Sequence, residues 1–470
     1  MLKLSDIPKE RIARNPLITD SGYQRLRAIL DHPAAPAWNY EVGDRIRSED
    51  LNDVALLSAA LRRKRPESDG RPPENILSWV KKMRPTVPLF QSSLPEGFDL
   101  QRDWGHIPTM SRSDIALKLE TIVPLDAELT RLIVYDTSGV TGHAIIVPHH
   151  PRAMAQYHPM LEYVMEQYGI KLPFSSDITA CLNVGCQVNT VTFGNVFSVW
   201  NQAGFAKVNL HERVWSREKA QQFFSDTAPL FLTGDPLGFA QMAAWGIEAR
   251  PAAMISTAVA LLPALKSSLE ERYHCPVIDL YSSTETGPVA FTNPAGKGMV
   301  IFAPDLYVEI VDEDGWPVAE GESGEICVTG GRNPYLPLLR YRTGDYGRID
   351  RRGSELPLLH DLQAREPVSF IADDGSVISM IDVSRIIREW PLVQHEFIQN
   401  ADCSCDLRIQ PLAGYPIDRE CIKEKLIELF GQSTRISVAL DERLGDNRQG
   451  GKVIPFSCQI TAAPPAAGVK

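Results

Sequence analysis

Short apolar runs alternate with amphipathic stretches through the middle of this sequence. "RLIVY" (131–135), "AIIV" (144–147), "APLFLT" (228–233), "AAMIS" (252–256) and "PVIDLY" (276–281) are short, and most are rich in β-branched residues, so they predict strands. "PMLEYVMEQYG" (159–169) and "PALKSSLEERYH" (263–274) open on proline and space their apolar positions as helices do. This alternation runs from about residue 75 to 365 and predicts an α/β domain of sheets and helices. Within it, "DLYVEIVDEDGWPVAEGESGEICVTG" (305–330) alternates apolar and polar residues about Asp314-Gly315, which predicts a hairpin.

The rhythm changes at both ends. Residues 1–74 are charged and helical in pattern, closing on "RRKRPESDGRPPEN", and read as an N-terminal helical extension. Beyond "HDLQAREP" the pattern becomes a small mixture of strand and helix, with "SVISMIDVSRIIREW" and "RECIKEKLIELFG" ahead of a Pro/Ala-rich tail. Residues 366–470 therefore read as a small α+β C-terminal domain following a large domain at 75–365. The longest apolar stretch, "ARPAAMISTAVALLPALKSS", contains Pro251, Pro263 and the polar pair Ser256-Thr257, and predicts a buried strand and helix start rather than a membrane span. "MLKLSDIPKERIARNP" has no apolar signal core.

Composition narrows the class without naming it. Hydrophobic residues make up 44% of the 470 and charged residues 23%, as in ordinary globular proteins of two or three domains. The net charge of −11 argues against nucleic acid or an anionic membrane as partner, and leaves room for a local nucleotide pocket. The expected setting is cytoplasmic. Eight cysteines are scattered; Cys403 and Cys405 lie two apart and Cys181 and Cys186 five apart, with no second pair to match. Thiols in a reducing compartment are the expectation, with a zinc site the lesser alternative.

Candidate chemistry begins at "YDTSGVTGHAIIVPHH" (135–150), where small and hydroxylated residues stand between two apolar runs. A Walker loop would carry Gly-Lys-Ser/Thr and open into a helix; here the loop opens into a strand, with Pro148 inside it. The reading is strand, loop, strand: a flap able to close over a triphosphate, or a plain polar hairpin turn. Further along, "DLYSSTETGP" carries Tyr281, Thr284 and Glu285 on a turn after an apolar strand, "LLRYRTGDYGRID" carries Asp345 in a turn flanked by glycines, and "DNRQGGKVIPF" carries Lys452 in a Gly-rich turn.

In this order and at these separations the four stretches resemble the adenylate-forming superfamily of acyl-CoA synthetases and adenylation domains. They most resemble the phenylacetate–CoA ligase-like branch, whose entry segment is similar to "VPLFQSSLPEGFDLQRDWGHIPTMSRSDI". The resemblance covers about residues 75 to 455. It implies a large ATP- and acyl-binding domain with a small mobile lid, and attack of a carboxylate on the α-phosphorus of ATP to give acyl-AMP and pyrophosphate. A thiol, CoA or a carrier-protein arm, then displaces AMP. An amine acceptor, or a nucleotide-binding protein without ligase activity, are the alternatives. A homodimer is left open.

The resemblance also assigns roles. Thr137, Ser138, Gly139, Thr141 and Gly142 would hold the β- and γ-phosphates. Tyr281 would stack on adenine, Thr284 would donate to the α-phosphate, and Glu285 would ligate Mg²⁺. Asp345 offers two oxygens to the ribose hydroxyls, and Arg365 would reach the ribose or a phosphate. Lys452 would be the catalytic lysine between carboxylate and α-phosphate, delivered by closure of the small domain. Phe193, Gly194 and Phe197, with Trp200, either shape a pocket for an aromatic acid or simply pack a core. The sequence departs from the family at Val140 and His143 in the loop, where Thr and Lys are common, at Val259, and at Pro367 near the hinge.

Overall fold

Thr19 starts the first long helix: its Oγ1 accepts from the backbone N–H of Gly22 at 3.1 Å, meeting one of the unpaired donors of a helix start. The structure, a computed structural model, describes residues 7–64, 70–136, 145–351, 356–364, 368–446, 448 and 451–460. Three N-terminal helices, α1 (Lys9–Arg14), α2 (Asp20–Leu30) and α3 (Ser48–Leu61), lie on the large domain. Tyr23 and Leu26 of α2 pack on Val196, and Ile29 enters the same core as Ala206 and Val208. Leu57 and Leu61 of α3 pack on Met160 and Val164. The apolar faces of α2 and α3 are thus buried by the α/β domain itself.

Four further helices follow: α4 (Glu74–Met83), α5 (Pro88–Ser93), α6 (Arg112–Leu117) and α7 (Leu119–Ile122). They share one core with Ile145, Val147 and Tyr341. The loop-bearing hairpin comes next, β1 (Ile133–Asp136) paired antiparallel with β2 (Ile146–His149), as the apolar runs predict.

The chain then winds α8 (Pro151–Ala155), α9 (Tyr157–Gln167), β3 (Thr179–Gly185), β4 (Phe193–Phe197), β5 (Ala203–Asn209), α10 (Arg217–Thr227), β6 (Phe231–Gly234), α11 (Pro236–Ala244), β7 (Met254–Ser256), α12 (Pro263–Tyr273) and β8 (Val277–Ser283). Strands β5, β3, β6, β7 and β8 are parallel neighbours, and β4 pairs antiparallel at the edge. Alternate residues feed opposite faces. Leu182, Val184, Leu232 and Met254 meet α10, α11 and α12, whereas Cys181, Phe231 and Ile255 meet α9. The chain leaves β3 toward β5 on one side and returns to β6 on the other, so the carboxyl ends of β3 and β6 flank a topological switch point.

Antiparallel strands complete the twelve-stranded sheet: β9 (Gly287–Thr292), β10 (Met299–Ile301), β11 (Leu306–Val311), β12 (Gly324–Gly330), β13 (Leu338–Asp350) and β14 (Leu358–Ala364). β11 and β12 form the expected hairpin. The Asp314-Gly315 turn is its first bend only, because β12 begins at Gly324. In sheet order β13, β14, β10, β9, β8, a flat sheet would hold β13 and β8 about 19 Å apart. Tyr281 of β8 nonetheless reaches Asp345 of β13, so this part of the sheet curls on itself.

The remaining residues build a second sheet. A hairpin of β15 (Ser369–Ile371) and β16 (Val377–Ser379) leads into α13 (Met380–Arg388), β17 (Leu392–Gln399), β18 (Cys405–Pro411), α14 (Arg419–Phe430), β19 (Ile436–Leu440) and β20 (Phe456–Cys458). The strand order is β19-β18-β17-β20, and Val383, Ile387, Phe397, Leu407, Leu426 and Phe430 share its core. Val393 and Leu412 from this unit pack with Leu265 and Leu269 of α12, and Leu262 of the large domain enters the small domain's core.

Candidate active site

The turn Thr284–Glu285–Thr286 joins β8 to β9, and an arginine behind it fixes its shape. Arg332 is almost fully buried; its Nη1 donates to the carbonyls of Thr286 (3.0 Å) and Pro288 (2.5 Å). Its other edge forks onto Asp305, with both N–O distances 2.9 Å. Gly287 has φ +68°, and a Cβ there would stand 2.9 Å from Arg332 Nη1, so the residue after Thr286 needs glycine on both counts. No helix follows Glu285. The carboxylate lies on a strand-to-strand turn.

Glu285 Oε1 accepts from Arg112 Nη1 at 3.0 Å and from the Tyr341 hydroxyl at 3.2 Å. Its side chain is 4% exposed, against 37% for Arg112. Burial and the adjacent Glu285 carboxylate push the Tyr341 phenol far up, so it stays a donor. Thr284 is half-buried, and its backbone carbonyl faces His149 at the end of β2. Burial lowers His149 to about 4, with Thr284 offsetting part of the shift, and neither ring nitrogen completes a hydrogen bond. A neutral imidazole thus stands where the loop-bearing hairpin meets this turn.

Two positions expected on turns lie on strands. Tyr281 is inside β8, and its hydroxyl donates to Asp345 Oδ2 at 2.9 Å and lies 3.4 Å from Thr343 Oγ1. Asp345 is inside the long β13, paired with β14, and its backbone N–H donates to Thr343 Oγ1 at 3.1 Å. Gly344, at φ +79°, produces the irregularity that the sequence reads as a turn. Burial and Asp345 drive the Tyr281 phenol well above its ordinary range, so it too remains a donor.

Lys452 approaches from the small domain. Gly451 lies against Leu237 in the first turn of α11 and near the carbonyl of Cys186, just past β3. This puts Lys452 over the switch point. Burial lowers its pKa, and Asp235 opposes that shift. Asp235 caps α11, its Oδ1 accepting from Gly238 N–H at 2.7 Å, and burial raises its carboxyl against the pull of that N–H and of Lys452. Lys207, on β5, is likewise lowered by burial and sustained by Asp235. One buried carboxylate thus serves two half-buried lysines.

The structure brings Tyr281 and Asp345 together, sets Thr284 and Glu285 on the adjoining turn, and places Lys452 two strands away at the carboxyl ends, about 10 Å along the sheet. The acyl-pocket residues divide. Phe193 stands opposite Lys207 in the β4–β5 register, at the crevice end. Gly194 faces α2 instead, where a Cβ would meet Ile29 and Leu30 at 2.9 Å. Phe197 sits in an aromatic cluster with His158 (centroids 4.3 Å apart), Phe205 (5.1 Å) and Trp200 (5.8 Å). Thr137, Ser138, Gly139, Val140, Thr141, Gly142, His143, Arg365 and Pro367 lie outside the described residues.

Three functional candidates escape sequence reasoning. Asp235 had a signal, an Asp-Pro pair closing an apolar strand, which is also an ordinary helix start. Arg112 and Arg332 had none, since their partners are 173 and 27 or more residues away. Among the described residues no group of three or more His, Cys, Asp or Glu could hold a metal, and all eight cysteines are free thiols.

Residues 118–333 match the AMP-binding enzyme family. That stretch of the chain is thus similar to an AMP-binding domain. It is 29% identical to phenylacetate-coenzyme A ligase of Escherichia coli (strain K12) over 140 residues, 29% of this chain and 31% of that protein. It is 23% identical to indoleacetate–lysine synthetase of Pseudomonas savastanoi over 306 residues, 62% of this chain and 71% of that protein. The match to the ligase thus spans less than a third of its length. The fold is similar to the crystal structure of 2-hydroxyisobutyryl-CoA ligase in the postadenylation state with 2-HIB-AMP: TM-score 0.60, 14% identity, covering 84% of this chain and 94% of that one. The α/β class expected from the sequence agrees with this adenylate-forming architecture. Among the described residues, no helix is long and apolar enough to cross a membrane.

Proposed function

We propose that this protein activates a carboxylic acid with ATP. A carboxylate oxygen attacks the α-phosphorus, the bond from that phosphorus to the bridging oxygen breaks, and pyrophosphate leaves with the electron pair. The product is acyl-AMP. A thiol sulfur or an amine nitrogen then attacks the acyl carbon, loses its proton, and releases AMP. The observation that carries this reading is the position of Lys452: a small-domain lysine set over the switch point of the parallel sheet, within the field of the buried Asp235. Two anions must meet in the first step, and a cation between them lowers the barrier by stabilising the charge that builds in the transition state.

The remaining residues take roles consistent with this chemistry. Asp345 binds ribose hydroxyls while Tyr281 holds one of its oxygens in place. Thr284 donates to the α-phosphate. Residues 137–142 close over the outer phosphates, Arg365 adds a cation near the ribose, and residues 366–470 act as the mobile lid. Glu285 fits a metal that arrives with the nucleotide, to which it offers one buried carboxylate. Mg²⁺ bound to Glu285 and the phosphates would withdraw charge from the departing pyrophosphate. Phe193, beside Lys207, belongs to the acyl side of the crevice.

The acceptor is CoA or a carrier-protein thiol in one form of the proposal. The similarity to a protein named indoleacetate–lysine synthetase, covering 62% of this chain, favours an amine as the second form. The test is carboxylate-dependent exchange of labelled pyrophosphate into ATP across a panel of aromatic and aliphatic acids. Exchange with at least one acid supports adenylation; none across the panel, with ATP bound, rejects it. Adding CoA or lysine to an active acid and following AMP release then separates thiol from amine transfer.

A further inference from the structure

A lysine on an interior strand of a sheet loses solvation, and Lys207 recovers little of it. It sits on β5, between β3 and β4. Burial disfavours its charge, and Asp235 sustains that charge from beyond ion-pair range. Among the described residues its ammonium makes no hydrogen bond and no ion pair. Asp235 is shared with Lys452, so two cations face one carboxylate. The three N–H donors of Lys207 are left for something else.

The strand register shows what stands beside this lysine. Phe193, Lys207, Asn183 and Thr233 are partners across β4, β5, β3 and β6, so their side chains form one row on one face. Phe205, two residues before Lys207, extends the aromatic surface on that face, its ring 6.0 Å from that of Phe193. Asn183 Nδ2 donates to Thr233 Oγ1 at 2.9 Å, which makes a polar floor. The next position of β3 on this face is Gly185. A Cβ there would meet only the Val208 carbonyl within 4 Å, at 3.9 Å. Space therefore opens between Lys207 on β5 and Asp235 at the end of β6, two strands about 10 Å apart with β3 between them. The small domain covers this space from above, where Gly451 approaches the Cys186 carbonyl with Lys452 beside it.

We propose that Lys207 selects the acid: the substrate carries a second oxygen group, a carboxylate or a hydroxyl remote from the reacting carboxylate, that accepts a hydrogen bond from the Lys207 ammonium. This deepens the acid activation proposed above and rests on it. Lys452, at the mouth of the crevice, serves the carboxylate that is adenylated. Lys207, two residues before the end of β5, lies deeper and meets the far end of the same molecule. Phe193 and Phe205 line the stretch between with apolar surface. An oxygen acceptor restores to the ammonium the solvation it lost on folding, whereas an unsubstituted acid leaves it unpaired and binds more weakly.

The test uses the full chain and matched acids: phenylacetate against its ring-hydroxylated and ring-carboxylated derivatives, and hexanoate against adipate. Half-saturating acid concentrations come from pyrophosphate exchange, and binding of the same acids is measured by calorimetry. In the wild type at least one oxygen-substituted acid should bind about tenfold more tightly than its unsubstituted partner. A preference confined to the hydroxylated or to the carboxylated acids supports the inference and identifies the group. Lys207→Met should erase the preference, and Lys207→Arg should retain part of it. Gly185 has a φ outside the left-handed region, so Gly185→Val fills the open space without backbone strain and should weaken every acid by about tenfold, with ATP binding as the check on its fold. A wild type that does not favour the substituted acids, acids indifferent to Gly185→Val, or a Lys207→Met chain that weakens both members of a pair alike would overturn the inference; the last would leave Lys207 as a structural partner of Asp235. Exchange without the preference would sink this inference and spare adenylation, whereas Lys207-dependent binding without exchange would sink adenylation and spare the pocket. Neither binding nor exchange by any acid would overturn both.

Discussion

The hydroxyl of Tyr281 donates to Asp345 Oδ2 at 2.9 Å, joining two strands that have three others between them in the sheet. The contact exists because the sheet curls, and it ties the aromatic face proposed for adenine to the carboxylate proposed for ribose. Tyr281→Phe keeps the ring and removes a hydrogen bond to a charged group, a change of about 1.5–3 kcal/mol in such pairs. AMP affinity should fall modestly. Asp345→Ala should fall much further and also erase discrimination between ATP and 2′- or 3′-deoxy-ATP. Competition binding with the two deoxynucleotides checks this; discrimination retained by Asp345→Ala would move the ribose site elsewhere.

Lys452→Ala should abolish pyrophosphate exchange while ATP binding stays near wild type, because the lysine acts on the reacting carboxylate and α-phosphate. Full exchange by this variant would remove Lys452 from the mechanism.

Asp235 gives that lysine a pH signature. Burial already lowers the Lys452 pKa below 10.5, and Asp235 is what limits the fall. The protonated lysine is the active form, so exchange should decline as pH rises through the lowered pKa. Asp235→Asn removes the opposing carboxylate and should move that alkaline decline to lower pH. A pH profile of exchange for the two proteins decides it: an unmoved limb would mean that Asp235 merely caps α11.

Arg332 holds the Glu285 turn from beneath. Arg332→Met leaves Asp305 and two carbonyls without their donor and should destabilise the fold by about 3 kcal/mol. Arg332→Lys keeps the charge but not the fork, and should recover only part of the loss. Chemical denaturation measures the first effect. The concentration of ATP needed for half-maximal exchange should rise in both variants, since the turn that carries Thr284 and Glu285 loosens.

Asp279, in the middle of β8, has its pKa raised to about 7 by burial. The folded state therefore holds this proton more tightly than the unfolded chain, whose carboxyl ionises near 3.8. The sign follows: stability should fall as pH rises from about 4 to 7. Asp279→Asn should flatten this slope and be more stable than wild type at pH 8, with the difference shrinking or reversing at pH 4. Urea denaturation at the two pH values tests it.

Local rules carried much of this protein into its sequence. The strands at 133–136, 231–234, 254–256 and 277–283 and the helices at 157–167 and 263–273 follow from runs and periodicities that neighbouring residues can satisfy alone. So do the paired strands on either side of residues 137–144, read from Pro148 and the β-branched run. Tyr281, Glu285, Asp345 and Lys452 were each visible as residue types in a suggestive setting. What a linear reading mistook was one setting, since Gly344 looks like a turn but sits in a strand; Gly194, left open between an acyl pocket and core packing, faces Ile29 and Leu30.

Tertiary structure alone decided which of these groups meet. Arg112 reaches Glu285 across 173 positions, Tyr281 reaches Asp345 across 64, and Asp235 lies within the field of Lys207 and Lys452 from two different domains. The physical reason is one of range. Backbone propensity and side-chain periodicity act within a turn or a strand, whereas burial, sheet curvature and ionic pairing depend on what the whole chain brings within a few ångströms.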